Sequence, residues 1–168
     1  MSTLLIPAQV AVGKVPSVNT SVSLEFGNEN RGIVLPWVTN TAAVTGAVNG
    51  TMVYDLSDHK VKTKYASGWK DLSIDATGTT VDPLTSVDGV LIQNAHDEDA
   101  NAEVTIGSTQ TSDTGILILE DKDKAMILPK VASPHLNIIN PAPGMMVYDT
   151  TAKQLAVFNG KVWSFWKP

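Results

Sequence analysis

Short stretches of alternating apolar and polar residues, separated by turn-forming residues, run through this chain of 168 residues. The alternation over Val22–Phe26 predicts a strand with one buried face. Residues 61–65 alternate in the same way. Asn159-Gly160 lies between two apolar runs, and this arrangement is a strong local signal for a hairpin. Because no segment keeps a helical period, the pattern predicts a mainly β fold with minor short helices.

The remaining elements follow from the same signals. Further strands are expected at residues 33–35, 51–54, 89–92, 104–106, 116–119, 126–128, 145–148, 155–158 and 162–165. Two long connections are each expected to hold one short helix, at 41–44 and 135–139. Residues 76–81 are typical of a linker.

The chain repeats itself. Gly-Ile-Val-Leu-Pro-Trp-Val at 32–38, Gly-Thr-Met-Val-Tyr-Asp at 50–55 and Gly-Trp at 68–69 have later counterparts at 125–131, 144–149 and 162–163, at an offset of 93 or 94 residues. This predicts two tandem hairpin-rich modules related by internal duplication and joined by a β-containing spacer. The expected boundaries are 1–72 for the first module with its N-terminal extension, 73–103 for the spacer and 104–168 for the second module. Scaffold positions are repeated rather than acid–base groups, which favours a structural or binding protein.

Composition excludes several classes. The net charge of −5 argues against a phosphate-binding groove, so no nucleic-acid partner is expected. The chain has no cysteine, which excludes disulfides, thiolate nucleophiles and Cys-ligated zinc. No apolar run approaches the roughly 20 residues of a membrane span. The first residues lack the features of a signal peptide, so we expect either assembly in the cytoplasm or a leader omitted from this chain.

Both copies resemble a repeat module of Bacteroidota surface proteins and phage fibre-like proteins. The family pattern runs Gly-Leu-Leu-Leu-Pro-Arg, then Asn-Pro-Ala-x-Gly-Leu-Leu-Ile-Tyr-Asn-Thr, then Asn-Gly-x-x-Trp. The second copy matches it at residues 126–129, 140–149 and 159–163. The first copy is looser, since Trp37 stands where the family has Arg. The resemblance implies a stalk, fibre or adhesion element, and by analogy with fibre proteins it implies a homotrimer.

One acidic stretch invites a metal hypothesis. Asp97, Asp99 and Asn101 occupy positions 1, 3 and 5 of a calcium-loop pattern. Position 6 is Ala102 instead of Gly, and position 12 is Ser108 instead of Glu, so a solvated acidic turn is the competing interpretation. The three histidines are isolated in sequence. We therefore expect no cofactor and keep this trio only as a weak metal candidate.

The sequence contains no established catalytic motif. It has no Gly-x-Ser-x-Gly elbow and no phosphate-binding glycine loop. The one carboxylate pair found in both copies is Asp55 and Asp149. Each follows a strand tyrosine and has a Ser or Thr within the next two residues, which predicts an Asx turn. We expect a protein that is not an enzyme.

The tryptophans divide into two groups. Trp69 and Trp163 occupy equivalent places and are expected to fill equivalent cores. Trp37 and Trp166 are not repeated, which makes them the candidates for an intersubunit contact or a ligand surface such as a carbohydrate platform. An ordinary core or interface role is the competing interpretation.

Three hypotheses of function follow. The first is a structural or attachment subunit of a virion or extracellular assembly, such as a phage spike, fibre or capsid decoration. Its partners would be other copies of the chain, other assembly proteins and a host-surface glycan or receptor. The alternative is a cell-surface adhesin or glycan-binding module. The third is a tailspike-like polysaccharide hydrolase, which would need paired carboxylates about 5–10 Å apart.

Overall fold

The computed structural model describes residues 9–15, 21–74, 78–96, 99, 102–108 and 111–167. Strands dominate these residues, as the mainly β prediction required. The strands are β1 (Val10–Val12), β2 (Val22–Phe26), β3 (Ile33–Val34), β4 (Trp37–Val38), β5 (Met52–Asp55), β6 (Lys60–Tyr65), β7 (Gly68–Asp71), β8 (Val104–Ile106), β9 (Leu117–Leu119), β10 (Ala125–Met126), β11 (Lys130–Val131), β12 (Met145–Asp149), β13 (Gln154–Phe158) and β14 (Trp163–Trp166).

Helix in the described part of the chain is limited to short segments. These are a 3-10 turn at Thr41–Ala43, α1 (Gly89–Gln93) and α2 (Pro134–Asn137). The first and last lie in the two long connections, where short helices were predicted. No helix among these segments is long and apolar enough to cross a membrane.

Two hairpin sheets have the same construction. One has the order β4-β5-β6-β7 and the other β11-β12-β13-β14. In each, the first strand runs parallel to the second and the remaining strands form an antiparallel meander. Trp37 faces Tyr54 in the first sheet, and Lys130 faces Tyr148 in the second. These residues are related by the same offsets of 93 and 94 that relate the sequence segments.

Two small parallel pairs also correspond. β1 pairs with β2, with Val10 opposite Leu24. β8 pairs with β9, with Val104 opposite Leu117. The strand prediction at 104–106 is confirmed by β8.

Each half of the chain contributes a strand to the other half. β3 pairs antiparallel with β12 on the side of β12 that faces away from β13. β10 adds parallel to β2, so that β2 is the central strand of the sheet β1-β2-β10. The halves are therefore interleaved in space.

The main core lies between the two hairpin sheets. Its buried members are Leu35, Tyr54, Val61, Leu72, Met146 and Val157. A second apolar cluster covers the other face of the second sheet and consists of Val131, Ile138, Met145, Val147, Ala156 and Phe158. Burying side chains of this size is worth about 1.5–3 kcal/mol each, before the opposing loss of conformational entropy.

The corresponding outer face of the first sheet is charged. Lys60, Lys62 and Lys64 alternate with the buried residues Val61 and Thr63. This alternation confirms the strand, and partial exposure keeps the ammonium groups in reach of water. The same sheet construction thus carries an apolar outer face in one half and a charged one in the other.

Two predictions on local structure were wrong. Residues 89–92 form α1 and not a strand, because the Asp88 carboxylate caps the helix start by accepting from the Val90 N–H at 3.0 Å. β2 was expected to expose one face, yet Ser23 and Glu25 are as buried as their apolar neighbours. Glu25 tolerates burial because Lys14 Nζ lies 2.8 Å from its carboxylate and Gln9 Nε2 donates to it at 3.2 Å.

Candidate assembly site

The metal candidate is only partly within the described residues. Asp99 is described, whereas Asp97 and Asn101 lie outside the described residues. In the part of the chain that the structure covers, no group of three His, Asp or Glu side chains is placed to hold a metal ion. The geometry therefore adds nothing to the calcium hypothesis.

Asp55 and Asp149 organise the turns that follow them. The Asp55 carboxylate accepts from the Ser57 N–H at 2.8 Å and from the Thr41 N–H at 3.2 Å. The Asp149 carboxylate accepts from the N–H groups of Thr151 and Ser133, at 2.9 and 3.1 Å. Each aspartate thus makes the predicted Asx turn and also anchors the preceding long connection.

The pKa of Asp149 is lowered from its ordinary value. Burial on its own raises it, and the backbone N–H groups that the carboxylate accepts, with the Gln154 amide, outweigh that effect. The residue is therefore a charged structural anchor and not a proton donor near neutral pH.

Charges on the first sheet compensate one another. Lys62 Nζ lies 3.1 Å from a carboxylate oxygen of Asp71 and also contacts Asp58. Burial lowers the pKa of Lys62, but the hydrogen bonds and charges of Asp58 and Asp71 raise it overall. These pairs form a partly exposed network on the strand face, in which the Lys62 side chain is 13% exposed and the Asp58 and Asp71 side chains are 38% and 39% exposed.

Trp37 lies between the two halves. Its indole N–H donates to the Pro143 carbonyl at 2.8 Å, and its ring centroid is 5.9 Å from that of Tyr54. A methyl group on Gly89 would lie 2.7 Å from the Trp37 ring, so α1 packs closely against it. A cleft of about 230 Å³ adjoins the ring and is lined by residues of the segment 80–92, including Val81, Pro83 and Ile92, and by residues of the second half, including Pro141.

Trp166 lies on β14, the edge strand of the second sheet. Its indole N–H donates to the Leu72 carbonyl at 2.6 Å. Lys70 Nζ lies 5.3 Å from the ring centroid, in the range of a cation–π contact. The two unrepeated tryptophans therefore each form a link between the halves, and the structure does not bring them together into one surface.

Tyr54 is the residue whose role the sequence did not reveal. It is fully buried, and its hydroxyl donates to the Asn159 carbonyl at 2.7 Å, which ties the first sheet to the hairpin turn of the second. Burial, followed by the charge of Asp58, raises the pKa of Tyr54, so the phenol stays protonated and remains a donor. Repetition of the tyrosine at Tyr148 was visible in the sequence, but its partner across the interface was not.

The pairing at the strand edges is the other feature that the sequence did not reveal. Residues 144–146, here named the β12 edge, receive β3, and the Leu35 N–H donates to the Gly144 carbonyl at 3.1 Å. Residues 50–52, here named the β5 edge, occupy the equivalent place in the first sheet. β4 pairs with Tyr54 and Asp55 of β5, and among the described residues no strand pairs with the β5 edge itself.

Comparison with known proteins gives one family match, in the C-terminal part of the chain. The family model described as a phage tail like trimerisation region matches residues 105–167, which is less than half of the chain. No curated protein matches the chain, and no solved structure matches it. The match supports a phage fibre-like structural module in the C-terminal part. It does not extend to the Bacteroidota repeat that the sequence motifs resemble.

Proposed function

We propose that this chain is a non-enzymatic structural subunit of a phage tail or fibre assembly, and that it forms a homotrimer on the virion. In that setting it would contact other assembly proteins and present a surface to a host glycan or receptor. The support for self-association is the match of residues 105–167 to a trimerisation region.

Exposed apolar side chains in the matched region carry the proposal. On β9, Leu117 is 47% exposed and the preceding Ile116 is 63% exposed. The counterpart of Leu117 in the first half, Leu24, is 4% exposed because β10 and β1 flank it. Apolar strands left uncovered in one half and covered in the other are typical of a surface that a partner covers.

The proposal includes the modular origin of the chain. We take the first module, within residues 1–72 and preceded by an N-terminal extension, and the second module, residues 104–168, as copies of one ancestral module, with 73–103 as the spacer. The equal strand order and register of the two hairpin sheets support this reading. Duplication would also explain why one half can supply the strand that the other half lacks.

Within this proposal the two unrepeated tryptophans have different roles, one within the chain and one toward another molecule. Trp37 holds the halves together through Pro143. Trp166, on an edge strand and beside Lys70, is the better placed of the two for contact with another molecule. A glycan array probed with the wild type and with Trp166→Ala measures this directly, and equal signals from both proteins would remove Trp166 from the ligand surface.

Light scattering after size exclusion tests the trimer. The expected mass is three times that of the 17.9 kDa chain. Leu117→Lys is expected to shift the mass toward one chain, because it places a charge on the surface that would be covered. Leu84→Lys is the matched control, since Leu84 is 77% exposed and lies outside the matched region. A wild-type protein with the mass of one chain at every concentration would contradict the proposal.

A further inference from the structure

The pairing of β3 with β12 shows how one module contacts the next within a single chain. At the β12 edge, Ile33 faces Met146 and Val34 faces Met145 in an antiparallel pair. The same junction places Tyr54 against Gly144, where a methyl group would lie 3.0 Å from the Tyr54 Cβ. One module therefore gives a short strand and a tyrosine to the next module.

The β5 edge has the geometry of the β12 edge. The Gly50 N–H donates to the Lys64 carbonyl at 2.9 Å, as the Gly144 N–H donates to the Phe158 carbonyl at 2.9 Å. The Lys64 N–H donates to the Thr51 carbonyl, so the N–H and C=O of Met52 point away from β6, toward the open side. Within the described ranges, no backbone group bonds to Met52 on that side.

A strand that would complete this edge is present in every copy of the chain. Residues 126–128 correspond to 33–35, the strand that pairs with the β12 edge. The N–H of Ile127 donates to the Leu24 carbonyl at 2.9 Å, so one side of this strand is used by β2. The N–H of Leu128 lies on the other side, and among the described residues it has no backbone acceptor.

Among the described residues, the outer edges of β3 and β9 also carry backbone groups that are free to pair with another strand. The Ile127 N–H of the second half donates to the Leu24 carbonyl on β2 of the first half. The corresponding groups are the Val34 N–H on β3 and the Leu117 carbonyl on β9. In the structure these two residues are 46% and 47% exposed, and β9 pairs only with β8 in the described part of the chain.

Resting on the proposed self-association, we propose that a neighbouring copy of this chain completes both edges in one head-to-tail contact. Residues 126–128 of one chain add antiparallel to the β5 edge of its neighbour, with Met126 opposite Met52 and Ile127 opposite Thr51. In the same contact, β9 of the first chain pairs parallel with β3 of the neighbour. The contact between the second module of one chain and the first module of the next chain thus uses the same strand pairing as the contact between the two modules within one chain.

This contact is heterologous, because each chain presents one surface as donor and a different one as acceptor. Three such contacts close a ring and leave neither edge open, which removes the aggregation risk of unpaired strands. Tyr148, half-buried in the chain, takes in the ring the position against Gly50 that Tyr54 holds against Gly144. A methyl group on Gly50 meets no atom within 4 Å, so this space is open in the single chain.

Cysteine cross-linking tests the register, and the chain has no cysteine of its own. The pair Thr51→Cys and Ile127→Cys mimics Met145 and Val34, a non-hydrogen-bonded pair with Cα atoms about 4.5 Å apart, within the range that a disulfide spans. The oxidised double variant is expected to give covalent dimer and trimer on a non-reducing gel. The ladder should stop at three chains.

Two matched pairs control the result. Val34→Cys with Met145→Cys is expected to close within one chain and to stay at the mass of one chain. Met52→Cys with Ile127→Cys is one residue out of register, which places the side chains on opposite faces, so about tenfold less covalent trimer is expected.

The outcomes separate this inference from the proposed function. If the reduced Thr51→Cys, Ile127→Cys variant is trimeric but its oxidised yield equals that of the out-of-register pair, the strand pairing is wrong while the trimer stands. If the wild type has the mass of one chain, both fail. A covalent ladder that continues past three chains would overturn the closed ring.

Amide hydrogen exchange of the wild type covers the case in which the cysteine variant does not assemble. In the ring, the amides of Met52 and Leu128 should be protected as strongly as those of their counterparts, Met146 and Leu35. Exchange of the Met52 and Leu128 amides at the rate of open peptide, in a sample shown to be trimeric, would overturn the proposed pairing.

Discussion

Replacing Tyr54 with phenylalanine removes one hydroxyl from the contact between the two hairpin sheets. That hydroxyl donates to the Asn159 carbonyl at 2.7 Å, and both residues are fully buried. Phenylalanine keeps the ring and its packing against Trp37. Tyr54→Phe therefore removes the hydrogen bond that links the first hairpin sheet to the turn of the second. It also removes the longer contacts of the same hydroxyl with the Thr79 carbonyl and His59 Nδ1, at 3.4 and 3.5 Å.

The size of the effect follows from what remains at the acceptor. The Thr79 N–H also donates to the Asn159 carbonyl, at 3.1 Å, so the carbonyl keeps a partner in the variant. We expect a loss of about 1 kcal/mol in the free energy of unfolding, the net value of one hydrogen bond, and not the larger penalty for a buried group left unsatisfied. Tyr54→Ala also removes the ring and should cost about 3–5 kcal/mol, as large aromatic truncations do.

Urea denaturation measures the difference. With a denaturant dependence of about 2 kcal/mol per molar, the Tyr54→Phe midpoint should fall by about 0.5 M. All proteins are compared at one concentration, because association changes the apparent stability. Tyr65→Phe is the control, since Tyr65 is 49% exposed. Equal midpoints for Tyr54→Phe and Tyr65→Phe would refute the reasoning.

Three further predictions concern single positions. Asp149→Asn should cost about 1.5–3 kcal/mol at pH 7, the value of hydrogen bonds to a charged group. Because the folded pKa of Asp149 is lowered, this stabilisation is present above the ordinary carboxyl pKa and is lost as pH falls through the folded value, so the urea midpoints of wild type and variant should converge as the pH is lowered below the ordinary carboxyl pKa. Gly160→Ala should lower the free energy of unfolding by about 1–3 kcal/mol more than Gly68→Ala does, and it should therefore have the lower melting temperature. Both glycines have positive φ, but only at Gly160 would an added methyl group meet the Thr79 backbone. Equal melting temperatures would contradict this. Lys62→Ala should cost at most about 1 kcal/mol, and the cost should shrink in high salt because Asp71 is partly exposed; a salt-independent loss would indicate packing instead.

Much of the local structure was predictable from the sequence because its causes are local. Alternation over residues 61–65 and the Asn159-Gly160 dipeptide each specify strand or turn within a few residues. β6 and the hairpin between β13 and β14 confirm those predictions. Asp55 and Asp149 form their predicted turns because an aspartate carboxylate reaches the N–H two residues ahead without help from the rest of the fold.

The failed strand prediction at 89–92 shows the limit of apolar runs. Gly-Val-Leu-Ile is equally typical of a buried strand and of one helical turn, because four residues cannot establish a period. The preceding Asp88 was the available signal, since its carboxylate caps the helix. Its partner Thr80, which donates to the same carboxylate at 2.7 Å, lies eight residues away and adds a contact that the local pattern does not contain.

The sequence by itself determined which short segments favour strands and turns, and that similar segments recur at offsets of 93 and 94 residues. Only the tertiary structure decided which strand lies beside which: that β3 pairs with β12, that β10 pairs with β2, and that Tyr54 reaches Asn159. The physical reason is that strands pair through backbone N–H and C=O groups, which are the same in every residue except proline. Side-chain patterns therefore report that a strand forms and which face is buried, while the partner at its edge is set by how the whole chain packs.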